Sequence, residues 1–268
     1  MHFSLIDDPS DPRIVEYRNV PDADLLRRHG LFVAEGRLVV RRLLTGSAFA
    51  TRSVLVTDTA RAALDEVLAA RPDVPVYVAP AAVMDGITGL HIHRGCLALG
   101  ERPRPASWRE TAAGARTLVV LERVANADNV GGIFRNAAAF GAAAVLLDEA
   151  TTDPLYRKAI RTSMGASLVV PFARAEPWPA ALRELGALGF ATVALTPSAA
   201  APTVAETVAR LGGRPVALVL GHEGDGLTGA ALAACEYRAR IPVASAVDSL
   251  NVAAAAAVAL YESRRPAV

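Results

Sequence analysis

A chain of 268 residues has room for one large domain or two ordinary ones, since single hydrophobic cores hold roughly 100 to 200 residues. Its 52% hydrophobic and 21% charged residues exclude a disordered chain, and 28 basic against 27 acidic side chains exclude the overall basic excess of a general nucleic-acid binder. Cys96 and Cys235, far apart and without C-x-x-C spacing, argue against a disulfide scaffold or a cysteine zinc site and point to a reduced, cytoplasmic protein.

Near the start, Asp7, Asp8 and Asp11 stand where a signal peptide needs positive charge. Ala34 to Leu44 has helical spacing, while Ser53 to Val56 and Val74 to Val78 read as short buried strands, so the first hundred residues form a small α/β unit. Between Gly100 and Gly114 two prolines, three arginines and no hydrophobic period mark a linker. The expected division is a domain over 1–103, a linker over 104–113 and a second domain over 114–268. In the second, Leu118 to Leu121, Ala144 to Leu147, Phe190 to Leu195 and Val216 to Leu220 are continuous apolar runs separated by helical stretches, the pattern of a parallel sheet covered on both faces. Ser249 to Glu262 is Ala-rich and predicts a closing helix. The apolar run Val252 to Tyr261 is too short to span a bilayer, so no membrane is expected.

Three segments carry the polar and glycine residues of a site. In Asn126 to Gly141, Gly131 and Gly132 stand where a strand turns into a helix. With a helix starting near Gly131, Arg135 lies about one turn inside it and reaches back over the loop that holds Asn129. The plainer alternative is a strand, a loop and a helix with a solvated Arg. In Leu218 to Leu227 a strand runs into G-x-x-G-x-G, which is neither a dinucleotide-binding turn nor a phosphate loop, and Glu223 is offered there to a ligand or to water. In Ile241 to Glu262, Ser249 is the expected N-cap of the last helix, which leaves Asn251 without a capping role.

Taken in this order the three segments resemble the signature motifs of the SpoU/TrmH family of RNA 2′-O-ribose methyltransferases, within the SPOUT superfamily. Asn129, Gly131 and Arg135 match the first motif. Gly221, Glu223, Gly226 and Leu227 match the second, and Ile241, Pro242, Ser249, Leu250, Asn251, Val252 and Tyr261 the third. The stretch Arg161 to Pro171 is similar to the family's connecting segment, and the likeness spans roughly residues 114 to 264. Departures are Ala127 in place of Pro, Gly132 in place of Ala, Val243 in place of Met and Ala253 in place of Ser; none removes a polar residue expected at the reaction centre.

The resemblance implies an α/β fold: a trefoil-knotted SPOUT methyltransferase domain with a parallel sheet, preceded by a small α/β RNA-binding domain similar to a ribosomal-protein fold. It implies S-adenosyl-L-methionine as cofactor, held by Gly221, Ile241, Leu250, Leu220, Glu223 and Ser249. Arg135, Asn129, Ser249, Asn251 and Glu223 are then the catalytic candidates, with Arg135 stabilising the 2′-oxygen and its adjoining phosphate because an Arg stays protonated. The implied partners are structured RNA, rRNA before tRNA, and a second copy in a homodimer. Arg27, Arg28, Arg37, Arg41 and Arg42, with Arg135, are candidate RNA contacts. His91 and His93, without further ligands, do not make a metal site. The alternative is a catalytically silent relative that only grips RNA.

Overall fold

The computed structural model describes residues 3–18, 21–88, 95–244 and 249–264. In chain order its elements are β1 (Phe3–Leu5), α1 (Asp22–His29), β2 (Leu31–Glu35), α2 (Arg37–Gly46), β3 (Ala50–Val56), α3 (Asp58–Ala69), β4 (Val76–Val78), α4 (Ala81–Thr88), β5 (Cys96–Glu101), α5 (Trp108–Ala112) and β6 (Thr117–Leu121). They continue with α6 (Ala127–Phe140), β7 (Ala144–Leu147), α7 (Arg157–Thr162), β8 (Phe172–Arg174), α8 (Ala180–Ala187), β9 (Ala191–Leu195), α9 (Val204–Arg210), β10 (Val216–Leu220), α10 (Gly229–Ala234), β11 (Tyr237–Ala239) and α11 (Val252–Arg264). They fall into two units, Met1–Pro105 with Pro154–Val169, and Ala106–Asp153 with Val170–Val268.

In the first unit five strands lie in the order β1-β4-β3-β5-β2, parallel from β1 to β3 and antiparallel through β5 and β2. Ile6, Tyr17, Leu25, Leu55, Met84 and Leu97 fill one core cluster. Ala34 and Glu35, expected in the helix, finish β2 instead. Gly36, at φ +94°, makes the turn into α2, a left-handed bend open to glycine. Pro154–Val169, expected within the second domain, belongs to this unit. It buries Leu155, Ile160 and Leu168, and a Cβ on Gly165 would stand 3.2 Å from Arg42 Cδ.

The second unit is built on six parallel strands in the order β11-β9-β10-β6-β7-β8. Leu118, Val120, Ala217 and Val219 alternate onto one face and pack with α5, α8 and α10. On α5, Ser107 and Glu110 form a capping box and Trp108 is buried, so the expected linker stops short of Ser107. The helix α6 starts at Ala127, not near Gly131, because the Asn126 side chain already caps it by accepting from the Asp128 amide at 2.8 Å. Gly131 and Gly132 are therefore helix-interior residues. A Cβ on Gly132 would approach Ala253 Cβ to 2.9 Å, which shows how closely α6 and α11 pack.

Candidate functional site

The site forms at the carboxyl ends of β6, β9 and β10, where open parallel sheets gather their ligands. Beyond β10 the chain makes a tight loop. His222 and Gly226 exchange backbone bonds at 3.1 and 3.0 Å, and the His222 Nδ1 accepts the Gly224 and Asp225 amides, each at 3.1 Å. A Cβ on Gly221 would lie 2.3 Å from the Gly226 carbonyl carbon, so only glycine fits where this loop closes. Beneath the loop's far end the carboxylate of Glu122, 1% exposed, accepts from the Thr228 amide and hydroxyl, each at 2.8 Å, and from Trp178 Nε1 at 2.7 Å.

A chain of side chains ties the three sequence segments together. Asn129 Nδ2 donates to Glu223 Oε1 at 2.8 Å, and Asn251 Nδ2 donates to Asn129 Oδ1 at 2.8 Å. Glu223 also accepts the Asn126 amide at 3.1 Å and the Ala125 amide at 3.4 Å. Burial alone raises the Glu223 carboxyl, but these hydrogen bonds together outweigh it and hold the group below its ordinary value. The other end of Asn251 caps α11, its Oδ1 accepting from the Ala253 and Ala254 amides at 2.9 and 3.3 Å. The cap is thus Asn251, not Ser249. One amide group both starts the helix and fixes Asn129, a double use that hid the role from spacing alone.

Two cavities adjoin along this chain. The first, about 460 Å³, is lined by Leu220, Gly221, Glu223, Ile241, Ser249 and Leu250, every residue assigned to the cofactor in the sequence, together with Leu195, Thr196, Pro197 and His222. Leu195 to Pro197 were missed; the Thr-Pro step ending β9 is a strand terminus that, in a parallel sheet, arrives at the same edge as the glycine loop. The second cavity, also about 460 Å³, is lined by Ala125, Asn126, Asn129, Glu223, Ser249 and Asn251. Glu223, Ser249, Leu250 and Val252 line both.

Arg135 lines neither. It stands six residues along α6 from Asn129, about 9 Å of helix rise, on an exposed position and with no hydrogen bond or ion pair among the described residues. Asn129 itself is in the first helical turn, not in a loop. Arg27 and Arg28 on α1, and Arg37 and Arg41 on α2, are exposed, while Arg42 is half-buried beside Gly165. His91 and His93 lie outside the described residues. No helix of the described residues is long and apolar enough to cross a membrane.

The family model described as SpoU rRNA Methylase matches residues 116–261. An uncharacterized tRNA/rRNA methyltransferase from Mycobacterium bovis is 44% identical over 262 residues, 96% of this chain and 90% of that protein. The crystal structure of an AdoMet-bound rRNA methyltransferase from Sinorhizobium meliloti superposes with a TM-score of 0.83 at 25% identity, covering 98% of this chain and 97% of that one. The crystal structure of an RNA 2′-O ribose methyltransferase superposes with a TM-score of 0.75 at 27% identity, covering 97% of each chain.

Proposed function

The chain belongs to the SpoU rRNA Methylase family, and from that premise we propose that it is an RNA methyltransferase acting on a ribose 2′-hydroxyl of structured RNA, rRNA in preference to tRNA. The observation that carries the reading is the shared wall of two cavities, one that combines apolar side chains with a glycine loop and polar groups and is fit for a nucleoside, the other lined by amides and a carboxylate. S-adenosyl-L-methionine supplies an electrophilic methyl group. Leu220, Ile241, Leu250 and the glycine loop around Gly221 would hold it, with loop main-chain groups meeting its polar edges. That arrangement suits a donor bound on one side of Glu223 and Ser249 and an acceptor sugar on the other.

Within the acceptor cavity Asn129 is held by bonds on both ends of its amide, which leaves it a rigid post for the ribose. Ser249 makes no bond of its own among the described residues and presents a free hydroxyl to both cavities. Arg135, exposed and without a hydrogen bond or ion pair among the described residues, takes the phosphate next to the reacting sugar and stabilises charge developing on the 2′-oxygen, from its own subunit or across a homodimer. The proposal includes the knotted catalytic fold and an RNA-gripping role for the first unit through Arg27, Arg28, Arg37, Arg41 and Arg42. The bonded Asn129, Glu223 and Asn251 favour an active enzyme over a silent relative.

The test is methyl transfer from labelled cofactor to ribosomal and transfer RNA, with 2′-O-methylation mapped by resistance to alkaline cleavage. Asn129→Ala removes a hydrogen bond to a carboxylate and one to an amide, so turnover should fall about 10- to 100-fold with RNA affinity little changed. Arg135→Lys should keep measurable turnover and Arg135→Ala should not. Wild-type rates in Asn129→Ala and Arg135→Ala, or methyl groups found only on bases, would sink the assignment.

A further inference from the structure

Arg123 is one of two described residues other than glycine with a left-handed backbone, φ +57°, on the turn between β6 and α6. For an L side chain that conformation crowds Cβ against the following carbonyl, at a free-energy cost that glycine avoids. Buried Asp148 holds it there. Its Oδ1 accepts the Arg123 amide at 3.0 Å together with the Thr151 amide at 2.8 Å and hydroxyl at 2.7 Å.

The side chain returns little for this strain. Its guanidinium meets Asp225, Nη2 to Oδ2 at 3.4 Å, with the two side chains 43% and 70% exposed, and an ion pair so open to water adds little to stability. Asp148 holds the backbone, but among the described residues the guanidinium gains only this open pair, so a side chain at this strained position points to a partner outside the chain. The position is informative as well: Ala125 and Asn126, just beyond Arg123, line the acceptor cavity, and Asp225 lines the cofactor cavity. A cation therefore stands beside both, held in place by a carboxylate it can exchange.

We propose that Arg123 grips a backbone phosphate of the RNA at the rim of the acceptor cavity, trading Asp225 for the phosphate oxygens. The proposal rests on the RNA-methyltransferase reading and adds to it an anchoring residue that lies outside the three motifs. A guanidinium fork matches two phosphate oxygens, and Asp225 keeps the fork oriented until RNA arrives.

The experiment compares the full-length wild type with Arg123→Gly, Arg123→Lys and Asp225→Ala, using fluorescently labelled transcripts of a ribosomal RNA fragment and of a tRNA titrated across a salt series. Arg123→Gly relieves the backbone, so it should melt no lower than wild type. It should still weaken RNA binding about 5- to 10-fold and lower the slope of log affinity against log salt by about 0.7 to 0.9, the loss of one phosphate contact. Arg123→Lys should retain most of the slope, and Asp225→Ala should leave it undiminished. Equal affinity and slope in Arg123→Gly and wild type would overturn the proposal. So would an Asp225→Ala variant that copies Arg123→Gly, which would make Arg123 a brace for the cofactor loop. A wild type that neither binds nor methylates either RNA is a separate result that removes the parent reading before any variant is compared.

Discussion

Among the described residues the Glu223 carboxylate accepts from the Asn129 side chain and the amides of Ala125 and Asn126. Glu223→Gln turns an NH₂ group toward one of them, leaving two donors face to face at a cost of about 1 to 3 kcal/mol. Because the folded protein holds this carboxyl below its ordinary value of 4.5, its contribution is present in full above that pH. It is lost as pH falls below 4.5 through the lowered folded value. Melting curves of wild type and Glu223→Gln should therefore differ most at neutral pH and converge in acid; a gap that widens on acidification would contradict the bonding described. The spacing of Glu223 in G-x-E was legible in the sequence as a candidate, but its partner was not, since Asn129 lies 94 residues away.

At the level of elements, the packing of α6 against α11 gives the clearest case. Gly132 and Ala253 face each other, and a Cβ on Gly132 would come within 2.9 Å of the Ala253 Cβ. Gly132→Ala gains helix propensity of about 1 kcal/mol but overpacks two helices whose backbones cannot easily part, at a cost of about 1 to 3 kcal/mol. A net loss of melting temperature is expected, restored by adding Ala253→Gly; calorimetry of the single and double variants checks both. In the sequence Gly132 and Ala253 are two separate positions, and only the packing shows them to be in contact. Helix starts were legible to within a turn at best. Asn126 and Asn251 each cap a helix with the side chain, and an Asn also suits loops, so spacing favoured Gly131 and Ser249 as the starting points. The four long strands of the second unit were legible as apolar runs, whereas β8 and β11, three residues each at the sheet edges, carry too little pattern to be seen.

Over the whole molecule, burial pushes both thiols, Cys96 and Cys235, up to about 12. Since the thiolate is the reacting form, a disulfide reagent at pH 8 should label neither in the native protein and both in denaturant. Rapid native labelling of either would show that its surroundings open more readily than their packing implies. The Pro and Arg stretch after Gly100 carried the expectation of a boundary there, whereas nothing in the sequence signalled that Pro154–Val169 groups with the first unit, because apolar residues announce burial without naming the surface that covers them.

The strand order sets a timetable for synthesis. β10 lies between β9 and β6, and Leu220 pairs with Leu121. At ribosomal speeds of about 5 to 20 residues per second, one edge of β6 waits roughly 5 to 20 s after it is made before its neighbour exists. During that interval an apolar parallel strand is open to other nascent chains. Cellular yield should therefore depend on chaperone supply and on translation rate between codons 121 and 220 more than on the stability of the finished protein.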